Sequence, residues 1–270
     1  MGNTLSFMSA NYVARQLDYH MTRGWGQGDK ATQTYFKPLE SFGERFEAIL
    51  QDVQALEFEA VDLWTGHLNP DWATDAHIKA ARYLLRQYGL SVPSLAGWFG
   101  STPDEFEATC RLAVTLDAPV LGGSTSVLEQ DRPFVVQTLK RYGLKLGLAN
   151  HPEKTPEEML QRIGDTGDGT TGTAVDTGWY ATQDYAAAEA IEVLDEHIFH
   201  VHLKDVKEVG AHETCRLGDG IVPIESCLEA LGHIGYAGPI ALEHEPETFD
   251  PSEDVRAGVA WVQKWIDRRG

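Results

Sequence analysis

The sequence predicts an α/β fold of the (β/α)8 barrel class, and three observations favour it. The chain has 270 residues, close to the roughly 250 of an ordinary TIM barrel. Eight short apolar runs alternate with patterns of helical periodicity, which is typical of a parallel sheet with crossover helices. Ionisable side chains lie at the carboxyl-terminal ends of the last three predicted strands, which is the end where such barrels carry their catalytic residues. A single domain, residues 1–270, is expected.

The predicted strands are short apolar runs that end in turn-forming or polar residues. They are Leu5–Ala10, Ala60–Trp64, Ser91–Leu95, Pro119–Gly122, Lys145–Ala149, Gly172–Asp176, Ile198–Leu203 and Ile240–Glu243. The ends of the last three strands lie about 25 and about 40 residues apart, which leaves room for a helix and two loops in each interval. The strands are therefore expected to be parallel.

Helices are predicted between the strands from apolar spacing and from start signals. The segment Ser41–Leu56 carries apolar residues at three- and four-residue spacing, which makes one buried stripe. The sequences TPDE from Thr102 and TPEE from Thr155 each offer an N-cap hydroxyl, a proline at N1 and a carboxylate at N3. The sequence DPSE from Asp250 repeats this logic before a final helix. The long stretch Asp18–Pro38 is predicted as an irregular lid over the active face.

Composition excludes several classes of protein. The chain has 22 basic and 41 acidic residues, a net charge of −19, which disfavours nucleic acid and anionic membranes as partners. No run approaches the roughly 18 apolar residues of a membrane span. The three cysteines, Cys110, Cys215 and Cys227, show no CxxC spacing, so neither a disulfide framework nor a zinc knuckle is indicated. A cytoplasmic location is the expectation.

Three residues at successive strand ends form a candidate metal site. Asp176, His202 and Glu243 supply carboxylate oxygens and one imidazole, which suit a divalent ion of borderline hardness. Strand residues alternate between faces, so ligands of one central ion must share the inward parity. All three do, and continued alternation brings His151 and Glu245 toward the same mouth. The alternatives are a core histidine, a turn-capping aspartate and a buried ion-pair partner.

The order and spacing of several motifs resemble the sugar isomerase/epimerase superfamily of xylose isomerase-like TIM barrels. The motifs are LANHPEKTPEE, AVDTGWYATQ, HVHLKD, RLGDGIVPI and LEHEPE. Within it, NHPEK and HETCR with GDGIVP are similar to catalytic subunits of bacterial C-glycoside deglycosidases, which eliminate the aglycone from 3-oxo-glycosides. The resemblance covers the C-terminal half well, and the N-terminal half only through EAVDLWTGH.

The resemblance implies metal ligands at Asp176, His202 and Glu243, with Glu243 also a catalytic acid/base group. It implies a fourth carboxylate at the end of strand five, where this chain has Ala149. A two-glutamate epimerisation is therefore in doubt, and metal binding should be weaker than with four ligands. Arg216 resembles a substrate-contacting arginine, and its alternative is a surface ion pair. Mn²⁺ is the first choice of cofactor, with Mg²⁺, Co²⁺ and Zn²⁺ as alternatives.

The remaining candidates are assigned from their residue types. His151 is the candidate general base, because a neutral imidazole can accept a proton from a carbon next to a carbonyl; a loop histidine is the alternative. Lys204 could balance the carboxylates or bind a substrate oxygen, and His67 could bind a sugar hydroxyl. Trp64 and Trp179 offer apolar faces to a pyranose or an aromatic aglycone, although structural tryptophans are at least as common.

These observations predict a divalent-metal-dependent isomerase or epimerase that abstracts a proton beside the carbonyl of an unphosphorylated sugar or keto-sugar. The first alternative is a lyase that performs β-elimination on 3-oxo-glycosides. The second is an inactive barrel that serves as a binding module or partner subunit. DNA repair endonucleases share this barrel, but they need a basic groove that the charge of this chain disfavours. The expected partner is a small carbohydrate, and a homo-oligomer or an accessory subunit is compatible with the sequence.

Overall fold

Eight parallel strands close into a barrel in the computed structural model, which describes residues 3–167 and 169–268. The strands are β1 (Leu5–Met8), β2 (Ala60–Trp64), β3 (Ser91–Trp98), β4 (Val120–Ser124), β5 (Lys145–Ala149), β6 (Thr171–Asp176), β7 (Ile198–Val206) and β9 (Ile240–Glu243). Closure comes from the pairings of β6 with β7, β7 with β9 and β9 with β1. A two-residue strand, β8 (Thr214–Cys215), pairs antiparallel with the end of β7. The predicted (β/α)8 TIM barrel is thereby confirmed.

Helices follow the strands and cover the outside of the barrel. They are α1 (Trp25–Phe36), α2 (Leu39–Ala55), α3 (Asp75–Gln87), α4 (Pro103–Thr115), α5 (Val127–Gln130), α6 (Arg132–Tyr142), α7 (Pro156–Ile163), α8 (Thr177–Thr182), α9 (Ala187–Leu194), α10 (Ile224–His233) and α11 (Ser252–Asp267). The two predicted threonine N-caps are confirmed, because Thr102 Oγ1 accepts from Glu105 N at 3.4 Å and Thr155 Oγ1 accepts from Glu158 N at 3.3 Å. No helix within the described ranges is long and apolar enough to cross a membrane.

The predicted strand parity is seen in two separate apolar clusters. Leu146, Val175 and Leu203 belong to the large cluster between strands and helices. Ala241, the neighbour of Leu242 on β9, belongs instead to a small cluster that includes Trp64. Alternation therefore sends successive side chains of a strand to opposite faces.

The interior of the barrel contains a polar layer in place of branched aliphatic residues. Ser94, Asp62 and His200 are fully buried there, with Ser94 Oγ donating to Asp62 Oδ1 at 2.6 Å and His200 Nε2 lying 2.8 Å from Asp62 Oδ2. Gly122 makes room for the imidazole, since a Cβ at this position would lie 2.8 Å from His200 Cδ2. This layer forms the floor beneath the mouth of the barrel.

The predicted irregular lid contains a helix. Residues 25–36 form α1, although Gly26 and Gly28 lower its intrinsic helix propensity. Gly28 has a packing reason, because a Cβ there would lie 2.5 Å from Val13 O. The close approach of α1 to the segment after β1 therefore depends on this glycine.

Candidate active site

The three predicted metal ligands meet at the carboxyl-terminal mouth of the barrel. Asp176 ends β6, His202 lies on β7 and Glu243 ends β9. Strand register puts Asp176 beside His202 and Lys204 beside Glu243. His202 Nδ1 lies 2.8 Å from Glu243 Oε2. The side chains of Asp176, His202 and Glu243, which lie on separate strands, therefore belong to one buried cluster.

Lys204 lies at the centre of this cluster. Its Nζ donates to Asp176 Oδ2 at 2.9 Å and to Glu243 Oε1 at 2.6 Å, and lies 3.7 Å from Glu245 Oε2. Burial lowers the pKa of Lys204, but Asp176 and Glu243 outweigh that effect and raise it well above its usual value. Burial raises the pKa of both carboxylates, but the ammonium outweighs it and holds each below its usual range. All three groups are therefore charged at neutral pH.

His202 lies between two carboxylates, one of which the sequence analysis did not single out. Its Nε2 lies 2.9 Å from Asp62 Oδ2, opposite the contact with Glu243. Burial raises the pKa of Asp62, but His200 and then His202 hold it below the usual range. Burial lowers the pKa of His202, and Glu243 followed by Asp62 raises it well above 6.5. The signal for Asp62 was a charged residue at an inward position of an otherwise apolar strand, AVDLW.

Asp62, His200 and His202 could together hold a metal ion, because their ligand atoms all lie within 4.8 Å of one another. The Nε2 atoms of both histidines lie 2.8 and 2.9 Å from the same carboxylate oxygen. Those separations are ordinary for N–H···O⁻ hydrogen bonds. In that arrangement Asp62 orients His202 from behind and leaves Nδ1 facing the mouth, as supporting carboxylates do for metal-bound histidines.

At the mouth, Asp176, His202 and Glu243 present carboxylate and imidazole groups, which are ligand types that divalent ions accept. Glu243 Oε2 is buried and has no hydrogen-bond partner within the described part of the chain, although His202 Nδ1 lies only 2.8 Å away. Because Glu243 and Asp62 raise the pKa of His202 despite its burial, this contact is a buried ion pair between an imidazolium and a carboxylate. Asp176 Oδ2 and Glu243 Oε1 add hard oxygens on the Lys204 side.

His151 lies at the edge of the same cluster. Its Nε2 is 3.2 Å from Asp176 Oδ2, and its ring packs on Trp179 with centroids 4.4 Å apart. The side chain is 44% exposed, so one ring edge can reach a ligand in the mouth. With Nε2–H donated to Asp176, the other ring nitrogen is available as a proton acceptor.

Of the other predicted substrate-binding residues, three line the cavity at the mouth and two lie outside it. Trp64, Trp179 and Lys204 line the cavity at the mouth, as does Ala149. His67 is not among the lining residues: it is buried under Trp64, with Nδ1 3.2 Å from Ser9 Oγ, and burial lowers its pKa to about 3. Arg216 also lies outside the lining and donates to Asp254 through Nε at 2.8 Å. This contact is the surface ion pair named as its alternative.

Glu245 adds a second glutamate to the mouth. It follows Glu243 by two residues, and its Oε1 accepts from Trp25 Nε1 at 3.2 Å, which connects the site to α1. Burial, followed by the charge of Glu243, raises the pKa of Glu245 to about 8. Glu243 is then ionised and can accept a proton, whereas its neighbour Glu245 is protonated and can donate one.

The cavity over these residues measures about 1330 Å³ and spans the mouth. Helix α1 contributes Trp25, Asp29 and Gln33 to its lining, so the predicted lid segment does overhang the site. Gln33 Nε2 donates to Asp29 Oδ1 at 2.9 Å, and Asn69 Nδ2 donates to Gln33 Oε1 at 3.3 Å. Trp98, at the end of β3, is half exposed. The far side of the cavity is therefore aromatic and polar.

The fold is a (β/α)8 barrel with a buried ionisable cluster at its mouth, and the comparison with protein families gives its class. Residues 50–265 match the family described as xylose isomerase-like TIM barrel. The chain belongs to this family.

Known relatives and neighbours include sugar epimerases. L-Ribulose-5-phosphate 3-epimerase UlaE of Escherichia coli is 40% identical over 73 residues, which are 27% of this chain and 24% of the relative. The match thus spans about a quarter of that enzyme. The structure of IolI with a binding zinc atom superposes with a TM-score of 0.69 at 14% identity, covering 97% of this chain and 99% of IolI. The structure of 3-keto-D-glucoside 4-epimerase YcjR of E. coli superposes with a TM-score of 0.64 at 15% identity, covering 81% of this chain and 94% of YcjR. At these identities both neighbours show the fold alone.

Proposed function

We propose that the protein is a divalent-metal-dependent isomerase or epimerase that abstracts a proton next to the carbonyl of an unphosphorylated sugar or keto-sugar. The observation that carries this proposal is the convergence of Asp176, His202 and Glu243 at the mouth of a barrel whose relatives include sugar epimerases, with His202 Nδ1 only 2.8 Å from Glu243 Oε2. Asp176, His202 and Glu243 would hold the ion, with Mn²⁺ as first choice. When bound, it supplies positive charge that stabilises negative charge developing on a substrate oxygen.

His151 is proposed to take the proton from the substrate carbon. Its hydrogen bond to Asp176 fixes the ring, and Trp179 supports one face. Glu243 would act as the second acid/base group, since Lys204 and His202 keep it ionised despite its burial. Lys204 would contact a substrate oxygen, and Trp64 with Trp179 would face the sugar ring.

The charge of the cavity supports an unphosphorylated substrate. Of the lysines and arginines that the structure describes, Lys204 alone lines the cavity, and Asp176 and Glu243 already neutralise it. A phosphate group would need free cationic side chains or a helix N-terminus. UlaE is named for a phosphorylated substrate, and this chain is expected to differ from it in that respect.

A lyase acting on 3-oxo-glycosides is the second candidate, and the size of the cavity favours it. Its volume of about 1330 Å³ exceeds the roughly 300–1000 Å³ of ordinary small-molecule pockets. Trp25, Gln33 and Trp98 on the far side could contact an aglycone. The base would remove a proton beside the ketone, and the electrons would then expel the aglycone, which leaves with a proton and gives an unsaturated ketone.

Hydrogen exchange with solvent tests the shared first step. The protein loaded with Mn²⁺ would be incubated in D₂O with free ketohexoses and with 3-keto-glucosides, and deuterium incorporation and products would be followed by NMR. We expect exchange beside the carbonyl, with His151→Phe lowering the rate by about 10²–10⁴-fold. His233→Phe is the matched control, because His233 is an exposed residue of α10 that lies outside the lining of the cavity. If no probe exchanges hydrogen for deuterium, the proposal is contradicted and the inactive barrel becomes the favoured alternative.

We also propose that the protein is cytoplasmic and that residues 1–270 form a single domain. Cys110, Cys215 and Cys227 are free and buried, which suits a reducing compartment. Burial raises the pKa of Cys110 to about 12, so this thiol is inert. A homo-oligomer or an accessory subunit that completes the pocket remains part of the proposal and is testable by light scattering.

A further inference from the structure

Lys204 occupies the point toward which the predicted metal ligands converge. Its Nζ contacts Asp176 Oδ2 at 2.9 Å and Glu243 Oε1 at 2.6 Å. Oxygens of the same two carboxylates are proposed above as ligands of a divalent ion. A dication at this place and the ammonium would repel each other at short range, in a buried site where solvent screens charges poorly.

The fold holds the backbone and the aliphatic stem of Lys204 in place, whereas the ammonium lies at the end of a flexible chain. Thr177 Oγ1 donates to Lys204 O at 2.7 Å and accepts from Lys204 N at 2.9 Å. The aliphatic stem passes over Gly178, where a Cβ would lie 2.8 Å from Lys204 Cγ. The side chain is only 12% exposed. The β6–α8 turn is therefore shaped around this lysine.

The end of β5 contributes no carboxylate to the site. Ala149, at the end of β5, lines the cavity where the family resemblance implies a carboxylate. Two carboxylates and one ammonium leave the site with less negative charge for an ion than three carboxylates would. Glu245 Oε2, 3.7 Å from Lys204 Nζ, offers the ammonium another partner within reach.

We propose that Lys204 is an internal cation that competes with the divalent ion for Asp176 and Glu243, so that the ion binds only when the ammonium withdraws from these two carboxylates. The proposal rests on the metal site proposed above. It assigns Lys204 a role in setting metal affinity in addition to any contact with substrate. Ion binding and the Lys204 ion pairs are then mutually exclusive.

Calorimetric titration of the purified protein with Mn²⁺ tests this competition. We expect Lys204→Met to bind Mn²⁺ at least about tenfold more tightly than the unmodified protein, and Lys204→Arg, which keeps the charge, to show no such gain. Lys207→Met is the matched control, because Lys207 carries the same charge in an exposed ion pair with Glu213. This control should leave the affinity unchanged.

Thermal unfolding gives a second measurement that does not depend on activity. Without metal, Lys204→Met should melt at a lower temperature, because Asp176 and Glu243 are left buried without their cation. Added Mn²⁺ should raise the melting temperature of this variant by more than that of the unmodified protein. If Lys204→Met binds Mn²⁺ as tightly as the unmodified protein or more weakly, the proposed competition is refuted, whereas the proposed metal site is not. No Mn²⁺ binding by either protein would overturn both proposals.

Discussion

Asp62 shows how much a single buried residue organises this site. One of its carboxylate oxygens lies within hydrogen-bonding distance of both His200 and His202, and the other accepts from Ser94. The parity argument found His202 and Glu243 because they follow apolar runs. It did not select Asp62, whose two histidine partners lie on β7, some 140 residues away in sequence. Pairings between distant strands cannot be read from local spacing, so this half of the site required the structure.

Removing the Asp62 carboxylate should strongly destabilise the fold. Asp62→Ala would leave His200 and His202 without their shared acceptor, and breaking a buried charged pair costs about 3–5 kcal/mol. Urea unfolding measures this change in the free energy of unfolding. Asp117→Asn is the control, since Asp117 forms surface pairs with Arg82 and Arg86, asparagine tolerates its φ of 60°, and the change should cost less than about 1 kcal/mol. Equal, small effects of the two substitutions would contradict the role given to Asp62.

His67 should make the fold sensitive to acid. Burial holds its pKa at about 3, against about 6.5 in the unfolded chain. Between these values the unfolded state binds a proton that the folded state does not, so stability falls as pH drops from about 6.5 towards 3. The slope from this residue approaches about 1.4 kcal/mol per pH unit. Denaturant unfolding from pH 7 to pH 4 should show a smaller loss of stability in His67→Gln, and an unchanged slope would count against this account.

At the scale of elements, the sequence predicted the strands better than the first helix. Strands β2, β5 and β9 have the predicted bounds, because each is an apolar run closed by turn residues. Helix α1 was missed since its glycines and polar residues carry little apolar periodicity. Its position depends on the packing of Gly28 against Val13, which is a tertiary contact. The lid function of the segment was predicted, but its helical form was not.

Two glycines of α1 offer a paired test of that packing. A Cβ at Gly28 would lie 2.5 Å from Val13 O, whereas a Cβ at Gly26 meets nothing within 4 Å. Gly26→Ala should stabilise the protein by up to about 1 kcal/mol through helix propensity. Gly28→Ala should destabilise it by about 1–3 kcal/mol through overpacking. Thermal unfolding distinguishes the two, and a stabilising effect of both would mean that α1 packs less closely than described.

The loop after β8 depends on one buried carboxylate at the end of β7. Asp205 is fully buried and accepts from the backbone N–H groups of Gly218, Gly220 and Val222 at 2.9–3.0 Å. This explains the GDGIVP motif, whose glycines and following residues must approach the carboxylate closely. Asp205→Ala should therefore raise the amide hydrogen exchange of these residues more than that of α3. Uniform exchange across the chain would argue against a local role.

For the whole molecule, the barrel brings the three predicted metal ligands together on one half of its mouth. Strands β6, β7 and β9 are neighbours in the closed barrel and carry Asp176, His202 and Glu243. Strand alternation together with strand order was enough to predict that these side chains share a face. The sequence offered balancing of the carboxylates as one role for Lys204, and the structure shows its contacts with Asp176 and Glu243. Which carboxylates it reaches depends on neighbours such as Gly178, over which its stem passes.

Metal content measured by plasma mass spectrometry after incubation with Mn²⁺ tests the central claim most directly. We expect near-stoichiometric metal that is lost in both Asp176→Ala and His202→Ala and retained in Asp117→Asn. Loss in His202→Ala with full retention in Asp176→Ala would place the ion in the Asp62–His200–His202 triad instead. No metal at millimolar Mn²⁺ would contradict the proposed metalloenzyme.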